Sequence, residues 1–539
     1  MADVARGEGR SEAAVSGWEP LRNRTFRALW IANVASGIGT TMHDTAATWA
    51  MTNLTTSPTL ITLMQTAASL PIFLFGLPAG AVADIVDRRK LLIIAQIGGL
   101  LLSCALAASA FLGWLTPVWL LGIAFLLGTA GAVGQPAWQA SIPEIIERRA
   151  LSASIALNSI GYNVARTVGP AVGGLIVAKA GPGWVFLLNS ASFILLLAVL
   201  IGWRREETKQ RQPEQVFGAL VAAVRYARFA PALRSVLVRT ATYVFAAVAP
   251  IALLPLLVKS NTELRASDYG VLLGAYGAGA ILCATLILPR LRVRFSADQI
   301  LAGALVMSST SCIALVFMRD RIGMAAILMA AGAAWLTSLT HFNTAVQTAV
   351  PNWIRARASS LQLITMQGAI ALGAVVWGQI TSHGGLRYAF GVAAAFLFLG
   401  LLVIRFYPLN RIADLDLTPS DHWAEHRLVA EPAPADGPVL ITVEYRVANE
   451  KAEQFQEAIY KLRDVRLRDG AFRWDLFRSL DQETVFIESF LVATWAEHLR
   501  QHARAVAEDR RTEEVVESFH LGEEAPSVRH YLRDSFTRS

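Results

Sequence analysis

Two charged side chains stand where charge is costly. Asp44 lies in ASGIGTTMHDTAATWAM and Arg166 in LNSIGYNVARTVGPAVGG, each well inside an otherwise apolar stretch. On insertion scales a charge at mid-membrane costs roughly 2.5–3.5 kcal/mol, so it is kept where it faces a cavity or a partner. A lone carboxylate there can take up and release a proton or touch a substrate. The competing reading of Asp44 is an interfacial residue near the end of its span. An arginine there can hold an anionic substrate or the Asp44 carboxylate, and its depth disfavours a reach back to headgroups. His43 could share the Asp44 proton, although adjacent helical residues point about 100° apart.

Other polar or aromatic residues fall inside apolar stretches: Gln65, Trp138, Asn163, Asn343 and Gln367. They are candidates to line a central cavity. Taken singly, each would be interhelical glue worth about 0.6 kcal/mol. Scarce charge around such a cavity suits a large or amphipathic solute better than a small ion. The chain has no GxxxxGK[ST] loop, so ATP hydrolysis is not expected. Its three cysteines all lie in apolar runs, which argues against disulfides. Near the C-terminus His498 and His502 are four apart, a spacing that can hold a metal. No cysteine or glutamate set completes it, so these read as surface or barrel-lining residues. Neither metal nor cofactor is expected.

The elements that position these groups follow from charge. Only 17% of 539 residues are charged, against about a quarter in soluble domains. Residues 45–83 carry no charge, nor do 91–143, 180–203, 240–258, 269–289, 299–318, 322–354 and 358–386. About 20 apolar residues cross a bilayer core, and in lipid every backbone polar group must find an internal partner. Twelve helical spans follow, at about 28–51, 59–83, 91–111, 118–141, 151–178, 184–203, 235–257, 269–289, 299–318, 322–347, 357–381 and 388–407. Lys and Arg gather in alternate connections, among them Arg88, Arg89, Lys90, Arg204, Arg205, Arg290, Arg292 and Arg294. The positive-inside rule then puts both termini in the cytoplasm. Basic charge beside apolar runs reads as topology rather than nucleic-acid binding.

Residues 418–539 are unlike the rest. They carry 16 Lys+Arg against 23 Asp+Glu, net −7, while the part before them carries 32 against 18, net +14. PVLITVEYRV alternates like a strand, NEKAEQFQEAIYKLRDVRLRDG reads as a helix ending at Gly470, and FRWDLFRSL and TVFIESFLVA as two strands. TWAEHLRQHARAVAEDRRTEEVVESF reads as one helix capped by Thr494, and SVRHYL as a last strand. The βαββαβ order is ferredoxin-like. The expected layout is a disordered tail over 1–20, six spans over 21–204, a central cytoplasmic connection over 205–234, six spans over 235–410, a linker over 411–437 and a small cytoplasmic α+β domain over 438–535.

GAVADIVDRRKLL, after span 2, resembles the signature loop of the major facilitator superfamily: Gly80, Asp84, Arg88, Arg89 and Lys90 match it. Ile85 and Asp87 depart from it. RTVGPAVGGLIV in span 5 resembles the superfamily's glycine–proline motif through Gly169, Pro170, Gly173 and Gly174. LTTSPTLITLMQTAASLPIFLFGLPAGAVADIVDRR and VPNWIRARASSLQLITMQGAIALGAVVWGQ are similar to the branch containing the enterobactin exporter and the transmembrane secretion effectors. The resemblance implies two six-helix halves working by alternating access. It implies proton-driven export of a small apolar, amphipathic or siderophore-like molecule from the bacterial inner membrane. Span 4, LLGIAFLLGTAGAVGQPAWQA, lacks the arginine that many proton antiporters of the superfamily carry. In the loop, Asp84 would oppose the dipole at the end of its helix and so need a partner, for which the start of span 11 has the right polarity. Such a contact would latch the cytoplasmic side. The last domain resembles the antibiotic-biosynthesis-monooxygenase type of dimeric α/β barrel, which implies a homodimer. A lysolipid transporter of the same fold, and a membrane-tethered cofactor-free oxygenase, stay open as alternatives.

Overall fold

The computed structural model describes residues 17–203, 216–412, 415–420 and 432–533. Span 1 is Arg24–Leu54, span 2 Pro58–Ile85, span 3 Arg88–Phe111, span 4 Pro117–Ile145, span 5 Leu151–Ala180 and span 6 Pro182–Gly202. Span 7 is Pro231–Ser260 and span 8 Ala266–Arg294. Span 9 is Ala297–Phe317 and span 10 Arg321–Thr348. The helical stretch Arg355–Phe406 turns at Gly385, whose φ of 79° suits glycine alone, and so supplies spans 11 and 12. The protein is an all-α membrane bundle of twelve spans in two six-helix halves, followed by a small α+β domain. Spans 1 and 5 fall below the hydropathy of the others because they carry polar and charged residues.

Local chemistry sets where these helices begin. Ser57, Asp87, Thr116 and Ser296 each accept a hydrogen bond from a backbone N–H in the first turn of spans 2, 3, 4 and 9. Proline opens spans 2, 4 and 6, where its missing N–H costs nothing.

Small residues then allow the helices to approach. Thr41 Oγ1 of span 1 donates to Ala165 O of span 5 at 2.8 Å, and Trp30 Nε1 to Leu157 O at 3.0 Å. A Cβ at Gly173 would lie 2.9 Å from Met42 Cα, and one at Gly174 2.7 Å from Gly270 Cα of span 8. Thr66 Oγ1 of span 2 donates to Ala371 O of span 11 at 2.9 Å, and Thr59 and Ser382 hydroxyls meet at 2.9 Å. Thr59 with Ser382 and Gly174 with Gly270 lie toward the ends of their spans that adjoin the 1–2, 11–12, 5–6 and 7–8 connections, and the span 2–11 contact runs on to Phe73 against Gly368.

The chain forms two compact units. One contains most of the spans. The other contains Glu214–Val238, Phe342–Gln362 and the chain from Tyr407 onward. In the second unit a central helix, Val216–Phe229, occupies what reads in sequence as a connection. Its last domain has four strands: β1 Val439–Arg446, β2 Arg473–Arg478, β3 Val485–Val492 and β4 Ser527–Leu532. They form an antiparallel sheet in the order β2-β3-β1-β4, the ferredoxin-like arrangement. The helix Ala452–Asp469 packs Phe455, Ile459 and Leu462 on Val443, Tyr445 and Phe486. The single helix expected over 494–519 is two, Trp495–Arg504 and Ala507–Glu517. Between them Ala505 O accepts from Ser420 N and Val506 bridges Pro419, so the chain is drawn out into pairing with the linker.

Candidate functional site

The Thr41–Ala165 bond sets the register of span 1 on span 5. Asp44 is one turn beyond Thr41 on the same side of its helix, and Arg166 follows Ala165. The two side chains interact electrostatically, and Asp44 also feels Tyr269, as Arg166 does Tyr276. Arg166 Nη1 donates to Tyr162 OH at 3.3 Å and lies 5.6 Å over that ring. Asp44, Arg166 and Tyr162 are all exposed, part-way along spans 1 and 5. An arginine can hold an anionic group, and an ionised carboxylate near it competes with that anion, a competition that protonation ends.

His43 is placed elsewhere. It is 3% exposed, packs against Phe186 of span 6 at 4.7 Å between ring centroids, and neither ring nitrogen has a hydrogen-bond partner. Asn163 Nδ2 is bonded back to Ser159 O at 2.8 Å. Gln65 and Gln367 are half-buried in spans 2 and 11. Trp138 packs on the cluster of Leu29, Leu91 and Leu200. Asn343 is exposed and belongs to the second unit. The contacts given for His43, Asn163 and Trp138 are thus with other residues than Asp44 and Arg166.

The loop after span 2 is partly described. Arg88 donates to Glu144 of span 4 at 2.6 Å and to Ala140 O at 2.9 Å. Arg89 reaches the last carbonyls of span 6, Leu200 O at 3.0 Å and Ile201 O at 2.7 Å, where a cation suits the helix dipole. Lys90 is exposed and donates its backbone N–H to Asp87. Gly80 is half-buried, and the Asp84 side chain lies outside the described residues. In span 5 a Cβ at Gly169 would strike Thr41 and Ile38 O, so Gly169 and Gly173 seat span 1 and Gly174 seats span 8. Pro170 is buried beside them, and its carbonyl lies against Gly270.

Three features escape sequence reasoning. Arg239 of span 7 is buried and paired with Asp298 at the start of span 9. Its partner is 59 residues away and sits just outside the charge-free run, so no local pattern announces it. The second is a cavity of about 930 Å³ between spans 2, 7, 11 and 12. Thr66, Thr242 and Thr365 give it its hydroxyls, while Phe73, Phe245 and Phe396 and aliphatic side chains line the rest. Third, His498 and His502 meet His530 of β4, with Nε2 of His498 3.0 Å from that of His530 and 3.2 Å from that of His502. Among the described residues no group of three metal-ligating side chains fits a metal ion.

A family profile described as transmembrane secretion effector matches residues 15–538. A staphyloferrin A transporter of Staphylococcus aureus is 24% identical over 223 residues, 41% of this chain and 56% of the relative. The enterobactin exporter EntS of Salmonella typhimurium is 24% identical over 265 residues, 48% of this chain and 62% of the relative. The match thus spans a little over half the length of these relatives. Among solved structures, a bacterial homologue of the human lysosomal transporter Spinster, in an inward-facing and unoccupied conformation, superposes with a TM-score of 0.58 at 15% identity. That superposition covers 73% of this chain and 98% of that one.

Proposed function

The chain belongs to the transmembrane secretion effector family of the major facilitator superfamily, and from that premise we propose that it exports a siderophore-like or otherwise amphipathic small molecule, driven by protons. It is a multi-pass membrane transporter rather than an enzyme. The observation that supports the reading is that Asp44 and Arg166, lone charges part-way along spans 1 and 5, are both exposed and lie on the faces that the Thr41–Ala165 bond brings together. Arg166 holds the anionic part of the substrate, and Asp44 takes up and releases the proton that drives the cycle. Contacts of span 2 with span 11 and of span 5 with span 8 close the side remote from the termini. By the positive-inside rule that side faces outward, both termini lie in the cytoplasm of a bacterial inner membrane, and the cavity opens inward. The opposite state requires those contacts to part and the two halves to rock about the midplane.

The apolar cavity between spans 2, 7, 11 and 12 favours a second reading, a lysolipid transporter. It offers hydroxyls but no charge, which suits an acyl chain.

The test is a substrate screen in everted vesicles under an imposed pH gradient. Siderophores should accumulate when the lumen is acid and stop accumulating with a protonophore. Accumulation of lysolipid instead selects the second reading, and siderophore uptake indifferent to the gradient removes proton coupling.

A further inference from the structure

Within the second unit, three elements far apart in sequence meet on one aromatic pair. Tyr226 of the central helix Val216–Phe229 is 2% exposed. Its ring lies edge-on to Trp353, in the connection between spans 10 and 11, at 5.8 Å. The C-terminal domain caps both rings with arginine. Arg468, from the helix Ala452–Asp469, sits 5.3 Å over Tyr226, and Arg504, from the helix Trp495–Arg504, sits 4.6 Å over Trp353. Each arginine is held in place: Arg468 by Asp469 at 2.8 Å and Asp509 at 2.6 Å, Arg504 by Glu497 at 2.7 Å. At the rim Arg225 reaches the same Glu497 at 3.4 Å, with side chains 22% and 15% exposed.

A solvated connection has no reason to bury a tyrosine against a tryptophan, and a domain on a free linker has no reason to aim two braced guanidiniums at rings outside itself. Cation–π contacts strengthen as they are desolvated, which is the state of this pair. We propose that the C-terminal domain is a clamp that fastens the central helix to the connection between spans 10 and 11. The unit also contains the first residues of span 7, the last of span 10 and the first of span 11. The clamp therefore makes those three helix ends move as one body, whatever the substrate or the driving ion.

Hydrogen–deuterium exchange on the full-length protein in detergent tests this. Arg225→Glu and Trp353→Ala each alter the clamp from outside the C-terminal domain. Both should raise exchange at least tenfold in segments 222–230 and 349–358, while β1 and β3 keep their protection. Arg225→Lys, which keeps the positive charge opposite Glu497 and leaves the brace of Arg504 intact, should hold the parent pattern. Unchanged exchange in both Arg225→Glu and Trp353→Ala, or loosening in Arg225→Lys as large as in Arg225→Glu, overturns the clamp.

Discussion

Asp44 and Arg166 are legible in sequence because each is a lone charge in a stretch that excludes charge. Asp44→Asn removes the proton site without changing size, so gradient-driven uptake into everted vesicles should fall to background. Uptake that persists at the parent rate would remove Asp44 from coupling. Arg166→Ala should lower uptake at least tenfold, and Arg166→Lys, which keeps the charge but loses the planar fork, should retain part of it. Neighbours in sequence are harder to read. His43 adjoins Asp44, but a step of one residue turns it about 100°, and it ends against Phe186. Arg239 shows the same limit, since its role is fixed by Asp298 on another span and no local pattern names a distant partner.

Helices carry their own signal when one solvent surrounds them. Most spans were readable from charge-free runs, while the caps that start them, such as Ser57 and Thr116, emerge only in the structure. What sequence leaves open is which glycines seat which neighbour. Gly174 faces Gly270 so closely that a leucine there must push spans 5 and 8 apart. Overpacking of this kind costs about 1–3 kcal/mol. Gly174→Leu should therefore raise the reactivity of a cysteine introduced at Ala171 toward a probe added on the side remote from the termini. Unchanged reactivity would mean that this contact does not close that side. In the C-terminal domain, strands were legible from alternation, whereas the break at Ala505–Val506 was not, because linker residues 419 and 420 impose it. The interior of that domain holds Glu488, fully buried among Arg466, Trp474 and Tyr445. Glu488→Ala removes one of the carboxylates that hold the buried Arg466 and should cost about 3–5 kcal/mol, read as a lowered unfolding temperature of the domain.

At the scale of the whole molecule, the clamp has a predictable response to acid. Burial raises the pKa of Glu497, but the hydrogen bond and charge of Arg504, with those of Arg500, outweigh it and hold the carboxyl below its ordinary range. A carboxyl depressed in the folded state contributes stability above its unfolded value of about 4.3, lost as pH falls through the folded one. Thermal unfolding of the parent and of Glu497→Gln should thus differ by a constant gap above about pH 5, closing below about pH 4. A gap that widens in acid would show that the sign is wrong.

The sheet of the C-terminal domain points to a partner of its own kind. One face packs on helices through Ile441, Val443, Phe486 and Phe490. The other, as the register dictates, presents Leu440 beside Leu491 and Tyr531, and Ile487 beside Phe477, with Tyr531 and Phe477 about half exposed. A row across that face runs Asp475, Ser489, Thr442, Arg529 from β2 to β4. A two-fold axis along the strands lays β2 of one copy on β4 of the other, so that each Asp475 meets an Arg529 and the leucines close the middle. Self-complementarity of this kind is what a two-fold interface needs. The full-length protein should therefore run as a dimer by mass. Asp475→Arg, which sets like charges opposite, should shift it to monomer, and adding Arg529→Asp should bring the dimer back. A monomer in the parent protein, or a dimer indifferent to Asp475→Arg, leaves this face without a second copy.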